Sequence, residues 1–182
     1  MNLYILRHAS AGTRRANPLI DVKRPLDKEG KHHCLQLAYV LNTMRAQFDL
    51  VVSSPLKRSL QTASLVATET GYEAPILHSD ALSPSATFKD FQKLLHDNAG
   101  KENILVVGHN PNLTTFLGAM LMPTSSAIVP SIRLRKGSLA RITLLSATAR
   151  GPATLQGLLD PRVVRALYAT STKRSRPRTS RK

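Results

Sequence analysis

Two arginines and two histidines stand where apolar runs of the chain end. Arg7 and His8 follow the run "LYIL", Arg58 lies shortly after "DLVVSS", and His109 follows "NILVVG". Two guanidiniums and two imidazoles gathered in one place would repel one another unless an anion lay between them. Because a guanidinium matches the oxygens of a phosphate bidentately, we expect these four residues to surround a phosphoryl group.

The apolar runs ahead of these residues are the elements that must bring them together. Each run is short and almost wholly apolar, as is typical of a buried parallel strand. In open α/β sheets, ligands bind beyond the carboxyl ends of the strands. If the three runs are neighbouring parallel strands, the four side chains converge on one pocket.

The remaining pattern predicts helices between and after these strands. Helical spacing or start signals cover residues 26–47, 55–70, 87–98, 112–122 and 160–167. Weaker signals indicate a loop over residues 9–25, a short strand over 74–79, a hairpin over 131–145 that turns at Lys136-Gly137, and a last strand over 153–159. This order predicts an α/β fold in which a mostly parallel sheet has helices on both faces and antiparallel additions.

Three segments carry a resemblance to a known family. "LRHAS", "SSPLKRSLQT" and "VVGHNP" resemble the signature segments of the histidine phosphatase superfamily, which has the phosphoglycerate mutase-like fold. The first segment departs from the usual Arg-His-Gly because Ala9 follows His8. The segment "RPLDKEG" (residues 24–30) and the small size resemble the SixA-like phosphohistidine phosphatase branch.

The resemblance implies a role for each candidate residue. His8 would be the nucleophile that forms a covalent phosphohistidine, while Arg7, Arg58 and His109 would bind the phosphoryl oxygens and stabilise the transition state. Arg24 would either contact the phosphate or pair with an acidic side chain. The resemblance implies no cofactor and no metal, because cationic side chains offset the phosphate charge.

Two absences favour a phosphohistidine on a protein as the substrate. Relatives that cleave phosphate esters have an acid after the third strand to protonate the leaving alkoxide, and here Pro84 stands where we expect it. A phosphoramidate needs this acid less, because its leaving ring nitrogen can be protonated by solvent. The stretch between Gln61 and Asn103 is also too short for a large lid, and an uncovered site could admit a phosphoprotein such as a histidine phosphotransfer domain.

Two other functions remain open at this point. One is a small-molecule phosphomonoesterase of the same superfamily, with Asp80 or Asp90 as the general acid. The other is a non-catalytic module that binds phosphate and docks on a polyanion. Of the other polar residues, we expect Asn110 to cap the helix that follows it. We expect His32, His33 and Cys34 to be packed or solvated rather than metal ligands, since consecutive helix residues point in different directions.

Of the net charge of +15 over 182 residues, six charges lie in the last thirteen residues, and the remaining +9 fits a site or surface that meets anionic ligands. Residues 170–182 hold six basic side chains and no acid, so we expect a phosphatase domain over residues 1–169 and a disordered basic tail with a weak attraction to polyanions. No apolar run is long enough to span a bilayer, no signal segment is apparent, and Cys34 is the only cysteine. These features predict a monomer in the cytoplasm, with no membrane partner.

Overall fold

The computed structural model describes residues 1–122, 132–145 and 152–174 of the chain. The strands are β1 (Asn2–Arg7), β2 (Leu50–Ser53), β3 (Leu77–His78), β4 (Asn103–Gly108), β5 (Leu139–Thr143) and β6 (Thr154–Leu159). The helices are α1 (Pro18–Val22), α2 (Lys28–Thr43), α3 (Lys57–Glu69), α4 (Phe88–Asp97), α5 (Asn112–Leu121) and α6 (Pro161–Arg174). A single 3₁₀ turn covers Asp80–Leu82.

The strands form one sheet in the order β3-β2-β4-β1-β5-β6. The first four strands of that order run parallel, whereas β5 is antiparallel to β1, and β6 is antiparallel to β5. In the register, Arg7 lies beside Gly108, and Ser53 lies beside Val107. The carboxyl ends of the three central parallel strands therefore meet at one edge, as predicted for the strands that carry the candidate residues.

A hydrophobic core lies on each face of the sheet, because side chains of a strand alternate between the two faces. Leu3 and Ile5 of β1 pack with buried side chains of α4 and α5. Tyr4 and Leu6 pack on the opposite face with α2, α3 and Val164 of α6. Helices thus flank the sheet on both faces, which confirms the predicted α/β class.

The predicted hairpin over residues 131–145 is wrong. The turn at Lys136-Gly137 is present, but residues 132–135 form no strand, and β5 pairs with β1 and β6 instead. In place of a partner strand, the side chains of Arg7 (2.8 Å) and Asn110 (3.0 Å) donate hydrogen bonds to the carbonyl oxygen of Leu134. A carbonyl that is engaged in this way is not available to a hairpin ladder.

Two other differences concern helices. Residues 9–25, expected as loop, contain the short helix α1 with Asn17 as its N-cap. The last helix continues to Arg174 rather than ending at Leu167, so the first five residues of the expected tail are helical. Residues 175–182 lie outside the described part of the chain, and the disorder expected there stays a prediction. Within the described residues, no helix combines the length and the apolar character that crossing a bilayer requires.

Candidate active site

His8 lies immediately after β1 and is held by both its backbone and its ring. Its N–H donates to the carbonyl oxygen of Gly108 (3.0 Å), and its Nδ1 lies 2.8 Å from the carbonyl oxygen of Ala9. A carbonyl oxygen only accepts, so Nδ1 carries the proton and Nε2 keeps a lone pair. Among the described residues, Nε2 has no hydrogen-bond partner. The ring therefore presents an unprotonated nitrogen that is free to attack.

His109 lies beside His8, because Arg7 and Gly108 are paired in the sheet. The two ring centroids are 5.0 Å apart, with an angle of 56° between the ring planes. Nε2 of His109 lies 2.9 Å from the hydroxyl oxygen of Ser54 and 3.1 Å from that of Ser59. A hydroxyl can donate to Nε2, which leaves Nδ1 to carry the proton as a donor for another group.

Both imidazoles are neutral at physiological pH. Burial lowers the pKa of His8 to about 3, and the charges of Arg58 and Arg7 act in the same direction, while the bond to Ala9 opposes them. Burial also lowers the pKa of His109 to about 3, with the neighbouring His8 and arginines adding to the effect. A neutral His8 is what nucleophilic attack requires, since a protonated ring has no lone pair to offer.

Two guanidiniums, one buried and one partly buried, face the same space as the histidines. Arg58, in the first turn of α3, is only 6% exposed, and Arg7 ends β1. In each side chain one Nη atom is anchored on a carbonyl oxygen, of Leu134 for Arg7 and of Asp21 for Arg58, while Nε is buried without a hydrogen-bond partner. Burial lowers the pKa of both groups, so their charged form is destabilised there. An anion in this space would relieve that cost.

Asp21 lines the candidate site but was missed by the sequence analysis. Its carboxylate lies 2.8 Å from Nε of Arg24 and 3.3 Å from Nη1 of Arg58. Hydrogen bonds from the backbone of Arg15 and the side chain of Arg24 lower its pKa to about 2. Of the two alternatives for Arg24, pairing with an acid is therefore observed, and this side chain also lines the cavity. Asp21 escaped notice because it lies on α1, in a segment with no periodic pattern.

The four candidate residues line one cavity of about 700 Å³. Its other walls include Asp80, Pro84, and Pro18 of α1. Asp90 does not line it: the Asp90 carboxylate caps α4 by accepting hydrogen bonds from the backbone and the hydroxyl of Thr87. Asp90 is therefore wrong as a candidate acid, whereas Asp80 stays in reach of the cavity.

The expected role of Asn110 as a helix cap is also wrong. The residue before α5 is Pro111, and that helix start has no side-chain capping bond. Asn110 instead donates from Nδ2 to the carbonyl oxygen of Leu134, the atom that also anchors Arg7. Asn110 thus helps to hold the segment beside the cavity.

His33 is linked to the nucleophile through the backbone of Gly137. Its Nε2 donates to the carbonyl oxygen of Gly137 (3.1 Å). The N–H of Gly137 in turn lies 3.0 Å from the carbonyl oxygen of Arg7 and 3.1 Å from that of His8. Gly137 has a φ of +81°, and a Cβ at this position would collide with the ring of His33, so only glycine fits. Burial lowers the pKa of His33 and keeps it neutral in this role.

The "RPLDKEG" segment holds the loop that follows His8 against α2. The carboxylate of Asp27 accepts hydrogen bonds from the hydroxyl of Ser10 (2.6 Å) and the N–H groups of Gly12 and Gly30 (2.7 Å each). A Cβ at Gly30 would overlap the carbonyl oxygen of Ser10. The position after His8, in contrast, has no positive φ, so Ala9 fits there in place of the family's glycine.

Replacing Gly30 by alanine is expected to destabilise the protein and displace this loop. The new methyl group meets backbone, which cannot rotate away, so we expect a loss of about 1–3 kcal/mol in the free energy of unfolding. Phosphatase activity should fall as well, because Ser10 lies two residues from His8. Urea denaturation and initial rates measure the two effects, with Gly100→Ala, which meets nothing within 4 Å, as the control. Equal stability of the two variants would contradict the close packing at Gly30.

Comparison with known proteins agrees with this architecture. A model of the histidine phosphatase superfamily (branch 1) matches residues 3–83. An uncharacterised protein from Picosynechococcus sp. is 32% identical over 116 residues, which are 62% of this chain and 68% of that protein. The matched stretch of the family model contains His8, Arg58 and Asp80, but ends before β4.

Solved structures match nearly the whole fold. The protein histidine phosphatase SixA complexed with tungstate superposes with a TM-score of 0.76 at 22% identity, covering 89% of this chain and 98% of that one. The alpha-ribazole phosphatase from Shigella flexneri has a TM-score of 0.65 at 18% identity, over 88% of this chain and 97% of the other. At such identities the likeness shows the fold, and it confirms the predicted phosphoglycerate mutase-like architecture.

Proposed function

We propose that the chain, whose residues 3–83 match the model of the histidine phosphatase superfamily, hydrolyses phosphohistidine on proteins through a covalent phosphohistidine intermediate. The observation that carries the proposal is that a buried, neutral His8 with a free Nε2 lines the same cavity as two guanidiniums, the buried Arg58 and the partly buried Arg7. That arrangement combines a nucleophile with a binding site for a phosphoryl dianion.

In the first step, Nε2 of His8 attacks phosphorus, and the bond from phosphorus to the substrate's ring nitrogen breaks. The leaving imidazole keeps that electron pair and takes a proton from water. In the second step, a water oxygen attacks phosphorus, the bond to Nε2 breaks, and its electrons return to the ring. Inorganic phosphate leaves, and the proton lost by water passes to solvent. The hydrogen bond from Nδ1 to Ala9 holds the ring in the required tautomer throughout.

The other three candidates stabilise the charge that spreads over the phosphoryl oxygens. Arg7 and Arg58 supply positive charge from anchored side chains, so little reorganisation is needed at the moment of reaction. When a serine hydroxyl donates to Nε2 of His109, its Nδ1 carries the proton and donates to a phosphoryl oxygen. Arg24 contributes indirectly by holding Asp21, which in turn orients Arg58.

The described walls of the cavity favour a phosphoramidate over a phosphate ester. Two carboxyl side chains line the cavity among the described residues, and one of them, Asp21, is paired with Arg24 and Arg58. The other, Asp80, is exposed, and its Oδ1 accepts a hydrogen bond from Ser83 (3.2 Å). A poor leaving group would lack acid assistance, which is worth about 10²–10⁴-fold in rate.

A substrate comparison tests this proposal. We expect kcat/KM for a phosphohistidine peptide to be at least about 10²-fold above that for sugar phosphates. This factor is the rate enhancement that a general acid would supply for ester hydrolysis. The measurement is phosphate release at equal enzyme concentration. A preference for the esters would overturn the phosphohistidine assignment.

The second candidate function is a small-molecule phosphomonoesterase, and the position of Asp80 on the cavity wall is the observation that favours it. If Asp80 protonates a leaving alkoxide, Asp80→Asn lowers the rate on esters by about 10²-fold or more. The loss must then be largest for esters with the most basic leaving groups, because those depend most on an acid. An equal effect on all esters would exclude this role.

A further inference from the structure

A second cavity of about 700 Å³ lies next to the catalytic one. Both cavities are lined by Arg7, Asn110 and Lys136, so they share a wall. The rest of the second cavity is built mainly from residues 132–136 and the first turns of α6. We refer to it as the basic groove, defined by its cationic side chains Arg133, Arg135, Lys136, Arg162 and Arg165.

The basic groove carries more positive charge than its surroundings neutralise. Asp160 pairs with Arg135 and with Arg162, at 3.1 Å each, and Glu29 lies 3.6 Å from Arg165. Asp27 is a third carboxylate, which lies close enough to Lys136 for its charge to lower the pKa of Asp27. Five cations therefore face three carboxylates, which leaves an excess of two positive charges. Within the described residues, the other two cations of the groove form no ion pair.

The helix α6, which carries two cations of the groove, is held in place by its packing. Val164 is fully buried in the core that α2 and α6 share, so the helix cannot turn about its axis. Arg162 and Arg165, three residues apart, lie on the same side of the helix, and their side chains are 72% and 61% exposed. The groove thus offers accessible guanidiniums on a rigid element, a suitable arrangement for binding carboxylates.

We propose that the basic groove binds an acidic segment of the phosphoprotein whose phosphohistidine enters the catalytic cavity. This inference rests on the proposed function and names the character of its protein substrate. Because the two cavities share a wall, residues that flank the phosphohistidine reach the groove while the phosphoryl group contacts His8. Charges at the rim of such an interface mainly raise the association rate and select the partner.

The lining favours an acidic polypeptide over a nucleic acid. Proteins that bind single strands stack bases on aromatic side chains, and no aromatic residue lines the groove among the described residues. Arginine pairs bidentately with the carboxylates of Asp and Glu.

Two synthetic phosphohistidine peptides test the proposal, one with three Glu on each side of the phosphohistidine and one with Gln at the same positions. We expect kcat/KM to be about tenfold higher for the acidic peptide at low salt, with the ratio falling as salt is added. In the groove variant Arg133→Gln/Arg165→Gln the ratio should fall towards one. The control variant Lys89→Gln/Lys93→Gln removes the same charge from the exposed side of α4 and should keep the wild-type ratio. Equal ratios in the two variants would overturn the proposal.

A measurement of peptide binding tests the basic groove independently of the proposed function. Fluorescence anisotropy with the unphosphorylated acidic peptide should show weaker binding to the groove variant than to the control variant, whether or not either peptide is hydrolysed. If wild type hydrolyses neither phosphohistidine peptide, the proposed function is wrong, and this binding difference alone decides the groove. The proposal would be overturned if the acidic peptide bound equally to both variants. It would also be overturned if the protein bound a 12-nucleotide single strand more tightly and the acidic peptide could not displace that strand.

Discussion

Replacing His8 by alanine is expected to abolish phosphohistidine hydrolysis while the fold survives. The loss in kcat should reach about 10⁴-fold or more, as for other enzymes that lose their nucleophile. Among the described residues, the side chain hydrogen-bonds only to the adjacent Ala9 and contacts the ring of His109, so its removal costs little packing. Rates on a phosphohistidine peptide measure the loss, and the circular dichroism spectrum checks the fold.

A trapped intermediate makes this prediction sharper. Rapid acid-free quenching followed by mass spectrometry should find a phosphoryl group on His8 in wild type. In His8→Ala, the peptide that contains residue 8 should carry no phosphoryl group. The control is His78→Ala, which removes an exposed imidazole at the end of β3 and should keep full activity. A phosphoryl group that maps to His109, or a His8→Ala variant with more than about a tenth of wild-type activity, would refute the assigned nucleophile.

Replacing Arg58 by alanine is expected to lower kcat/KM by about 10²-fold or more, which is the usual effect of losing one donor to the transition state. The guanidinium is 6% exposed at the cavity and is anchored by Asp21 through both a carbonyl and a carboxylate oxygen. Its charge therefore acts from a fixed position on the developing phosphoryl charge. Arg58→Lys should recover only part of the activity, because an ammonium group lacks the planar fork.

The neighbouring residue supplies a matched control for Arg58. Lys57→Ala removes one positive charge from the same turn of α3, but Lys57 is exposed and does not line the cavity. We expect it to retain wild-type kcat/KM. Thermal unfolding of both variants shows whether the loss in Arg58→Ala arises from misfolding. Equal losses in the two variants, or wild-type activity in Arg58→Ala, would exclude a role in binding the phosphoryl group.

The candidate residues were predictable because each belongs to a short local pattern. The apolar runs ahead of Arg7 and His109 read as buried strands, and the structure contains both as β1 and β4. The helix that carries Arg58 follows β2 directly. Since parallel strands end at a common edge, local patterns were sufficient to predict that these side chains meet.

Residues whose partners are distant in the chain were not predictable. Asp21 lies on a five-residue helix with no buried side chain, so no hydrophobic period marks it. Its partner Arg58 is 37 residues away. Likewise, nothing in the local pattern indicated that Asn110 would bind the carbonyl oxygen of Leu134 rather than cap α5.

The sequence by itself determined the kind and order of the reactive groups, the strands that end at them, and the family they resemble. Only the tertiary structure decided the state of those groups, because a tautomer and a depressed pKa depend on burial and on atoms brought in from other elements. The free Nε2 of His8 requires the carbonyl oxygen of Ala9 on one side and the buried neighbours of its ring on the other. The shared wall between the catalytic cavity and the basic groove likewise depends on how β1, α6 and residues 132–136 pack, which no local pattern encodes.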